Sequence, residues 1–228
     1  MASSGTLKII ITGSGRVGQG AMEVLDAAGI GKQSWEDFSR NAEEGPCYCV
    51  LDTDDIYIHS DRGDFDKTEF YTDPSPYRSL LAEKMEHASM YIACHYWDPN
   101  GPMLLAQADL QRLDGLQTIA DISCDIKEPI ASTVRPSTIS DPFYGYDSGT
   151  GNEVAFGTEG SIGIMAVDNL PCELPRDSSL AFGQQFMAQV ASCMLRTDPN
   201  GMLDRATIVR NGTPTARYSY LSDWLNED

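Results

Sequence analysis

One segment near the start constrains the fold more than any other. Leu7-Lys8-Ile9-Ile10-Ile11-Thr12 is a short β-rich run, and Gly13-Ser14-Gly15-Arg16-Val17-Gly18 follows it directly. Val17, Ala21, Val24, Leu25 and Ala28 then recur at helical spacing until Gly29 stops the helix. Strand, glycine turn, helix is the opening of a parallel nucleotide-binding sheet. Without side chains, Gly13 and Gly15 let the backbone turn tightly and approach a pyrophosphate, and Gly18 permits close contact between helix and strand. The helix N-terminus beyond adds free N–H groups and a partial positive charge.

The rest of the chain extends that opening. Ser34-Trp35-Glu36 reads as a short strand, and Cys47–Leu51 with Ile56–His59 reads as a hairpin around Asp52–Asp55. Residues 60–73 are dense in charge and lack an apolar period, which predicts a surface excursion. Pro76–His87 and Leu104–Leu113 have helical spacing, whereas Met90–Cys94 and Thr118–Ile122 are buried strands by length and content. A Pro-, Ser-, Thr- and Gly-rich crossing over residues 129–152 holds one expected strand at Ser132–Arg135, and Ser161–Val167 is another. Asp177–Leu195 reads as a long amphipathic helix, with further helices near Leu203–Val209 and Ala216–Trp224. This alternation predicts an α/β fold, a Rossmann-like doubly wound parallel sheet with a C-terminal helical extension. The expected division is a leader over residues 1–6, a dinucleotide-binding domain over 7–172 and the extension over 173–228.

Composition narrows the partners. With 16 Lys and Arg against 34 Asp and Glu, the net charge is −18, which argues against nucleic acid and anionic membranes. An apolar fraction of 41% excludes a disordered chain, and no apolar run reaches the length of a membrane span. The N-terminus lacks the pattern of a signal peptide. Cys47, Cys49, Cys94, Cys124, Cys172 and Cys193 form no CxxC, so free thiols in a reducing cytoplasm are expected. His59, His87 and His95 have no metal-ligand spacing, and no metal is expected.

Ligands of open parallel sheets lie at the carboxyl ends of the strands. The acid that holds a ribose should follow the glycine turn by about 20 residues. Glu36 meets that spacing, with Asp37 the near and Asp52 the distant alternative; Arg40 could instead meet a 2′-phosphate. Three other strand ends carry polar or aromatic groups: His95-Tyr96-Trp97-Asp98, Ser123-Cys124-Asp125 and Asp168-Asn169-Leu170-Pro171. His95 could serve as a general acid or as a satisfied structural group. Tyr96 and Trp97 could pack or stack on a ligand. Cys124 has no histidine near it in sequence and is not read as a nucleophile.

Taken in order, Gly13-Ser14-Gly15-Arg16-Val17-Gly18-Gln19-Gly20-Ala21, Tyr96-Trp97-Asp98-Pro99, Asp121-Ile122-Ser123-Cys124-Asp125-Ile126 and Asp168-Asn169-Leu170-Pro171-Cys172-Glu173-Leu174-Pro175-Arg176 resemble lysine-forming saccharopine dehydrogenase. The resemblance extends to the lysine–2-oxoglutarate reductase half of bifunctional aminoadipic semialdehyde synthase, and Asn211-Gly212-Thr213 to Tyr218-Ser219-Tyr220-Leu221 is similar to the end of that half. It runs from about Leu7 to Leu225. The family is related in fold to alanine dehydrogenase and to the transhydrogenase NAD-binding domain. It condenses lysine with 2-oxoglutarate and reduces the imine with NAD(P)H to give saccharopine, and it runs in reverse.

The resemblance implies that Arg16 and Val17 touch the cofactor pyrophosphate and that Glu36 bonds the adenosine ribose; Gly13, Ser14, Gly15 and Gly18 of the same turn, with Arg40, complete the expected cofactor site. It implies that Tyr96 and Ile122 line the cofactor site, and that Val167, Asp168, Asn169 and Leu170 hold the nicotinamide end. Ser123, Cys124 and Asp125 would face saccharopine. NAD is favoured slightly over NADP, because Glu36 has no adjacent arginine. The family's proton-transferring lysine and histidine lie in an N-terminal domain that precedes the Rossmann domain, so the chain resembles the C-terminal half, and a separate N-terminal domain is an expected partner. Two readings follow: the NAD(P)-binding portion of a saccharopine-type oxidoreductase, located in the cytoplasm or in an organelle matrix, or a non-catalytic NAD(P)-binding module for sensing or assembly.

Overall fold

The computed structural model describes residues 6–40 and 45–225, so most of the expected leader lies outside it. The chain divides after Leu170 into two compact units. The first runs β1 (Lys8–Thr12), α1 (Arg16–Ala27), β2 (Gly31–Lys32), α2 (Trp35–Ser39), β3 (Cys47–Leu51), α3 (Thr53–Ile56), β4 (Tyr57–His59) and α4 (Lys67–Phe70). It continues with β5 (Tyr77–Ser79), α5 (Leu81–Met85), β6 (Met90–Ala93), α6 (Gln107–Leu110), β7 (Thr118–Asp121), β8 (Phe143–Asp147), β9 (Asn152–Val154) and β10 (Ile162–Met165).

Eight of these strands form one sheet in the order β2-β3-β1-β6-β7-β10-β8-β9. The pairs from β2 to β10 are parallel, and β8 and β9 close the far edge antiparallel. This is the Rossmann-like α/β architecture. The inner strands read as continuous apolar runs because both faces are covered. Alternation at period 2 sends Ile9 and Ile11 to one face, against Met22 and Leu25 of α1, while Ile10 joins Leu51, Tyr91 and Ile119 on the other.

Several local expectations give way to tertiary contacts. Cys47–Leu51 is not half of a hairpin: it is β3, paired in parallel with β1, and Tyr57–His59 pairs instead with β5. Tyr77–Ser79 is therefore a strand where a helix is expected, and no strand forms at 132–135. Trp35 and Glu36 belong to helix α2, because Ser34 caps it by accepting from the Asp37 amide. The buried stripe of α1 is Gly18, Met22 and Leu25; of the expected Val17, Ala21, Val24, Leu25 and Ala28 only Leu25 is buried, and Val17 and Val24 are exposed. The bare Gly18 seats the helix against the glycine turn, and that contact chooses the face.

The second unit holds α7 (Pro175–Gln189), α8 (Ala191–Leu195), α9 (Met202–Ala206) and α10 (Ser222–Leu225), with a 3-10 segment at Ala216–Leu221. The expected single helix 177–195 is thus two helices. A small hairpin, β11 (Val209–Arg210) with β12 (Thr213–Pro214), turns on Asn211-Gly212, both at positive φ.

Candidate functional site

The chain leaves β1 toward β3 on one side and reaches β6 on the other, so the order of connection reverses between β1 and β6. That switch point is where an open parallel sheet forms a crevice at its carboxyl edge. The glycine turn closes the end of β1 there. Gly13 has φ +89°, and a Cβ on it would lie 2.9 Å from the Cys94 carbonyl oxygen at the end of β6. A Cβ on Gly18 would lie 2.0 Å from the Gly13 carbonyl oxygen. Gly15 differs, with nothing within 4 Å of its would-be Cβ. It is the N-cap of the twelve-residue α1, no side chain caps that end, and no acid occupies the first turn. The turn is therefore pressed against the sheet on one side and open on the other, with uncapped helix amides beside the opening. Ser14, Arg16 and Val17 are all exposed around it.

The neighbouring strand end supplies a carboxylate. Asp52 follows β3, and its Oδ1 accepts from the Ser14 amide at 3.1 Å. Glu36 and Arg40 are placed elsewhere. They form an exposed ion pair with each other at 2.8 Å. Their helix α2 packs beside the amino ends of the strands, where Lys8 at the start of β1 donates to the Phe38 carbonyl and Trp35 meets His87 just before β6. The structure does not bring Glu36 or Arg40 to the glycine turn; it brings Asp52.

A cleft partly open to solvent adjoins Gly13. Its walls are largely aromatic: Tyr57, Phe70, Tyr71, Tyr96 and Trp97, with Thr53, Pro74, His95 and Asp98 among the rest. Tyr96 is 84% exposed, a free ring at the mouth. Trp97 is held by donating from Nε1 to the Pro102 carbonyl. Phe70 and Tyr71 come from the charged excursion, which is folded inward by aromatic contacts among Phe65, Phe70, Tyr57 and Tyr77.

At the end of β6, His95 Nδ1 lies 2.7 Å from the Thr12 hydroxyl, which lies 2.8 Å from the Tyr91 hydroxyl. The His95 Nε2 is buried and has no protein partner. Burial lowers the His95 pKa to about 4, so the ring is neutral at pH 7, and a general-acid role at that pH loses its proton source.

The end of β7 is organised by a residue that spacing does not single out. Asp121 is fully buried. Its Oδ1 accepts from the Ser123 amide, the Ser123 hydroxyl at 2.6 Å and the Cys124 amide; its Oδ2 accepts from the Thr133 hydroxyl at 2.6 Å. These bonds hold Cys124 in a left-handed conformation, φ +54°, that costs a non-glycine residue about 1–2 kcal/mol. The Cys124 thiol donates to the Ala166 carbonyl beside β10. Burial, then the carboxylates of Asp121, Asp168 and Asp125, push its pKa to about 11, so it stays a thiol. Burial and then Asp121 raise the Asp125 pKa. Ile122 is half-buried against α1's core cluster. Val167 is buried, while Asp168 and Asn169 are exposed at the carboxyl edge and Leu170 is half-buried.

No family model matches the chain. Among curated proteins, alpha-aminoadipic semialdehyde synthase of Arabidopsis thaliana is 31% identical over 182 residues, covering 76% of this chain and 17% of that protein. The mitochondrial alpha-aminoadipic semialdehyde synthases of Rattus norvegicus and Bos taurus are each 28% identical, over 252 and 251 residues, covering 96% of this chain and 27% of theirs. The chain is a relative of one segment of alpha-aminoadipic semialdehyde synthase. It spans between about a sixth and a quarter of the length of these synthases.

Residue spacing misplaces one part of the site and misses another. The first is Asp52, which spacing ranks as the distant alternative to Glu36, because the strand beside β1 in space is the third in the chain. The second is Asp121, whose role depends on a hydroxyl twelve residues away at Thr133. Both had a signal: each is an acid immediately ending a buried apolar run.

Proposed function

We propose that this chain binds a pyridine dinucleotide at the carboxyl edge of its sheet and is the cofactor-binding part of an oxidoreductase of lysine breakdown. The observation that carries the proposal is the glycine turn, closed by backbone contacts at Gly13 and Gly18, open at Gly15, and flanked by an uncapped helix end and Asp52. These features fit a pyrophosphate on the turn and a ribose on the Asp52 carboxylate. The aromatic cleft then fits the adenine, with Tyr71, Tyr96 and Trp97 as stacking surfaces. A carboxylate at the ribose repels a 2′-phosphate, so NAD is preferred over NADP.

The synthase relatives and the family motifs together support a reductase-type reaction between lysine, 2-oxoglutarate and saccharopine. The bound nicotinamide supplies hydride chemistry, and the protein binds, orients and excludes water. Asp121 holds the 123–125 loop in shape, and Asp125 and Asp168 make an acidic edge suited to an amine-bearing substrate. Asn169 and the backbone from Val167 to Leu170 would adjoin the nicotinamide end. Such a chain works with a further domain that carries the proton-transferring groups, in the cytoplasm or, as the animal relatives' names suggest, in mitochondria.

Titration of NADH and NADPH, read by quenching of tryptophan fluorescence, tests the proposal. Trp97 in the cleft makes saturable quenching the expected result, with NADH the tighter ligand and NAD+ competing. Absence of binding by either nucleotide would overturn it.

A further inference from the structure

The Tyr91–Thr12–His95 chain ends on a buried nitrogen with no protein partner, in a residue that stands at the switch point and lines the cleft. Proton accounting along the chain fixes what that nitrogen offers. Tyr91 is fully buried, and burial keeps it a neutral phenol with one proton to place. The acceptor beside its oxygen is the Thr12 hydroxyl. If Tyr91 donates to Thr12, then Thr12 spends its own proton on His95 Nδ1. The neutral imidazole then carries its proton on Nε2. The reverse order, with Nδ1–H donating to Thr12 and Thr12 donating to Tyr91, strands the Tyr91 proton in the core. In the protein alone each order leaves one buried donor unmatched, Nε2–H in the first and the Tyr91 hydroxyl in the second. An acceptor placed at Nε2 lets the first order, and not the second, satisfy all three donors; since an unsatisfied buried donor costs about 1–3 kcal/mol, such an acceptor selects the first order by roughly fivefold to a hundredfold.

We infer that His95 is a specificity-determining residue whose Nε2–H, set by the Thr12–Tyr91 relay, donates a hydrogen bond to an acceptor on the adenosine portion of the dinucleotide. The inference rests on the dinucleotide reading above. His95 directly follows Cys94, whose carbonyl touches Gly13, so it stands between the turn and the aromatic walls. A nucleotide seated there supplies ring nitrogens and ribose oxygens as acceptors. A carbon-only ligand leaves Nε2–H orphaned. The relay therefore selects for acceptor-bearing ligands, as sites built to meet a polar group do.

The experiment has two readouts. Nitrogen-15 NMR of the histidine-labelled protein with ADP-ribose bound at pH 7 reports the tautomer: the wild type is expected to show the Nε2–H form at His95, and Y91F, which removes the relay's proton source at almost constant volume, to show a mixture. Binding is measured for NADH, ADP-ribose and reduced nicotinamide mononucleotide. H95F is expected to weaken NADH and ADP-ribose by about five- to tenfold and to leave the mononucleotide unchanged. T12V, which keeps the side-chain shape, is expected to weaken the same two ligands. An Nδ1–H tautomer in the wild-type complex with ADP-ribose, or equal affinity of H95F for ADP-ribose, overturns the inference while leaving the dinucleotide reading intact. Failure of the wild type to bind NADH or ADP-ribose overturns the reading itself.

Discussion

Two glycines of one turn should fail in opposite ways. A methyl group on Gly18 meets the Gly13 carbonyl oxygen at 2.0 Å, and a backbone oxygen cannot rotate aside. Overpacking of this kind costs about 1–3 kcal/mol and at times more, against about 1 kcal/mol returned by alanine's helix propensity. A 2.0 Å clash with backbone belongs at the upper end of that range, so a net loss of about 2 kcal/mol is expected for G18A, which for a domain of this size lowers Tm by roughly 4–8 °C. Gly15 has extended backbone and open space, so G15V strains nothing and gives up less than about 1 kcal/mol at the helix cap. Its branched side chain instead occupies the space through which phosphates approach. NADH affinity should fall at least tenfold, or about 1.4 kcal/mol, in a protein that still unfolds cooperatively. Calorimetry for Tm and fluorescence titration for affinity separate the two. A folded G15V that binds NADH as the wild type does would refute the placement of the pyrophosphate. A G18A of wild-type stability would refute the contact that seats α1.

Further outcomes follow from the same geometry. D52A should weaken NADH by several-fold and narrow its advantage over NADPH, whereas E36A should change neither; comparative titration decides, and the opposite pattern would return the ribose to Glu36. D121N places an amide against four donors, two of them hydroxyls, and should cost about 2–3 kcal/mol in urea unfolding, with lost hydrogen-exchange protection at the Ser123 and Cys124 amides. Folding lowers the His95 pKa from 6.5 to about 4, so the unfolded chain binds the extra proton first. The contribution is fully present above about pH 6.5 and is lost as pH falls toward 4, up to about 3 kcal/mol; melts across that window should be steeper for the wild type than for H95F.

The apolar runs, the glycine turn and the alternation of strands and helices carry local information, so β1, α1, β6, β7 and β10 were legible from residue pattern alone, and with them the α/β fold. The strand ends at His95, Ser123 and Asp168 were legible for the same reason, since a buried run announces its own end. What pattern could not reveal is which strands lie side by side. Spacing from Gly18 points to Glu36, yet only the sheet order puts Cys47–Leu51 against β1 and so carries Asp52 to the turn while leaving Glu36 at the opposite edge. The charged excursion conceals pocket walls because Phe70 is turned inward by Tyr57 and Tyr77, one from either side of it in sequence, and Tyr71 is set against Phe70. Asp121 is one more buried-strand residue until Thr133 closes on it, and His95 is one more strand-end histidine until Thr12 and Tyr91 link it into a buried hydrogen-bond chain. Local pattern decides which segments become strands and helices, because those preferences act over a few residues. Pairing of distant segments decides the chemistry, because a hydrogen bond or a carboxylate's partner exists only once the packed core has brought the two together.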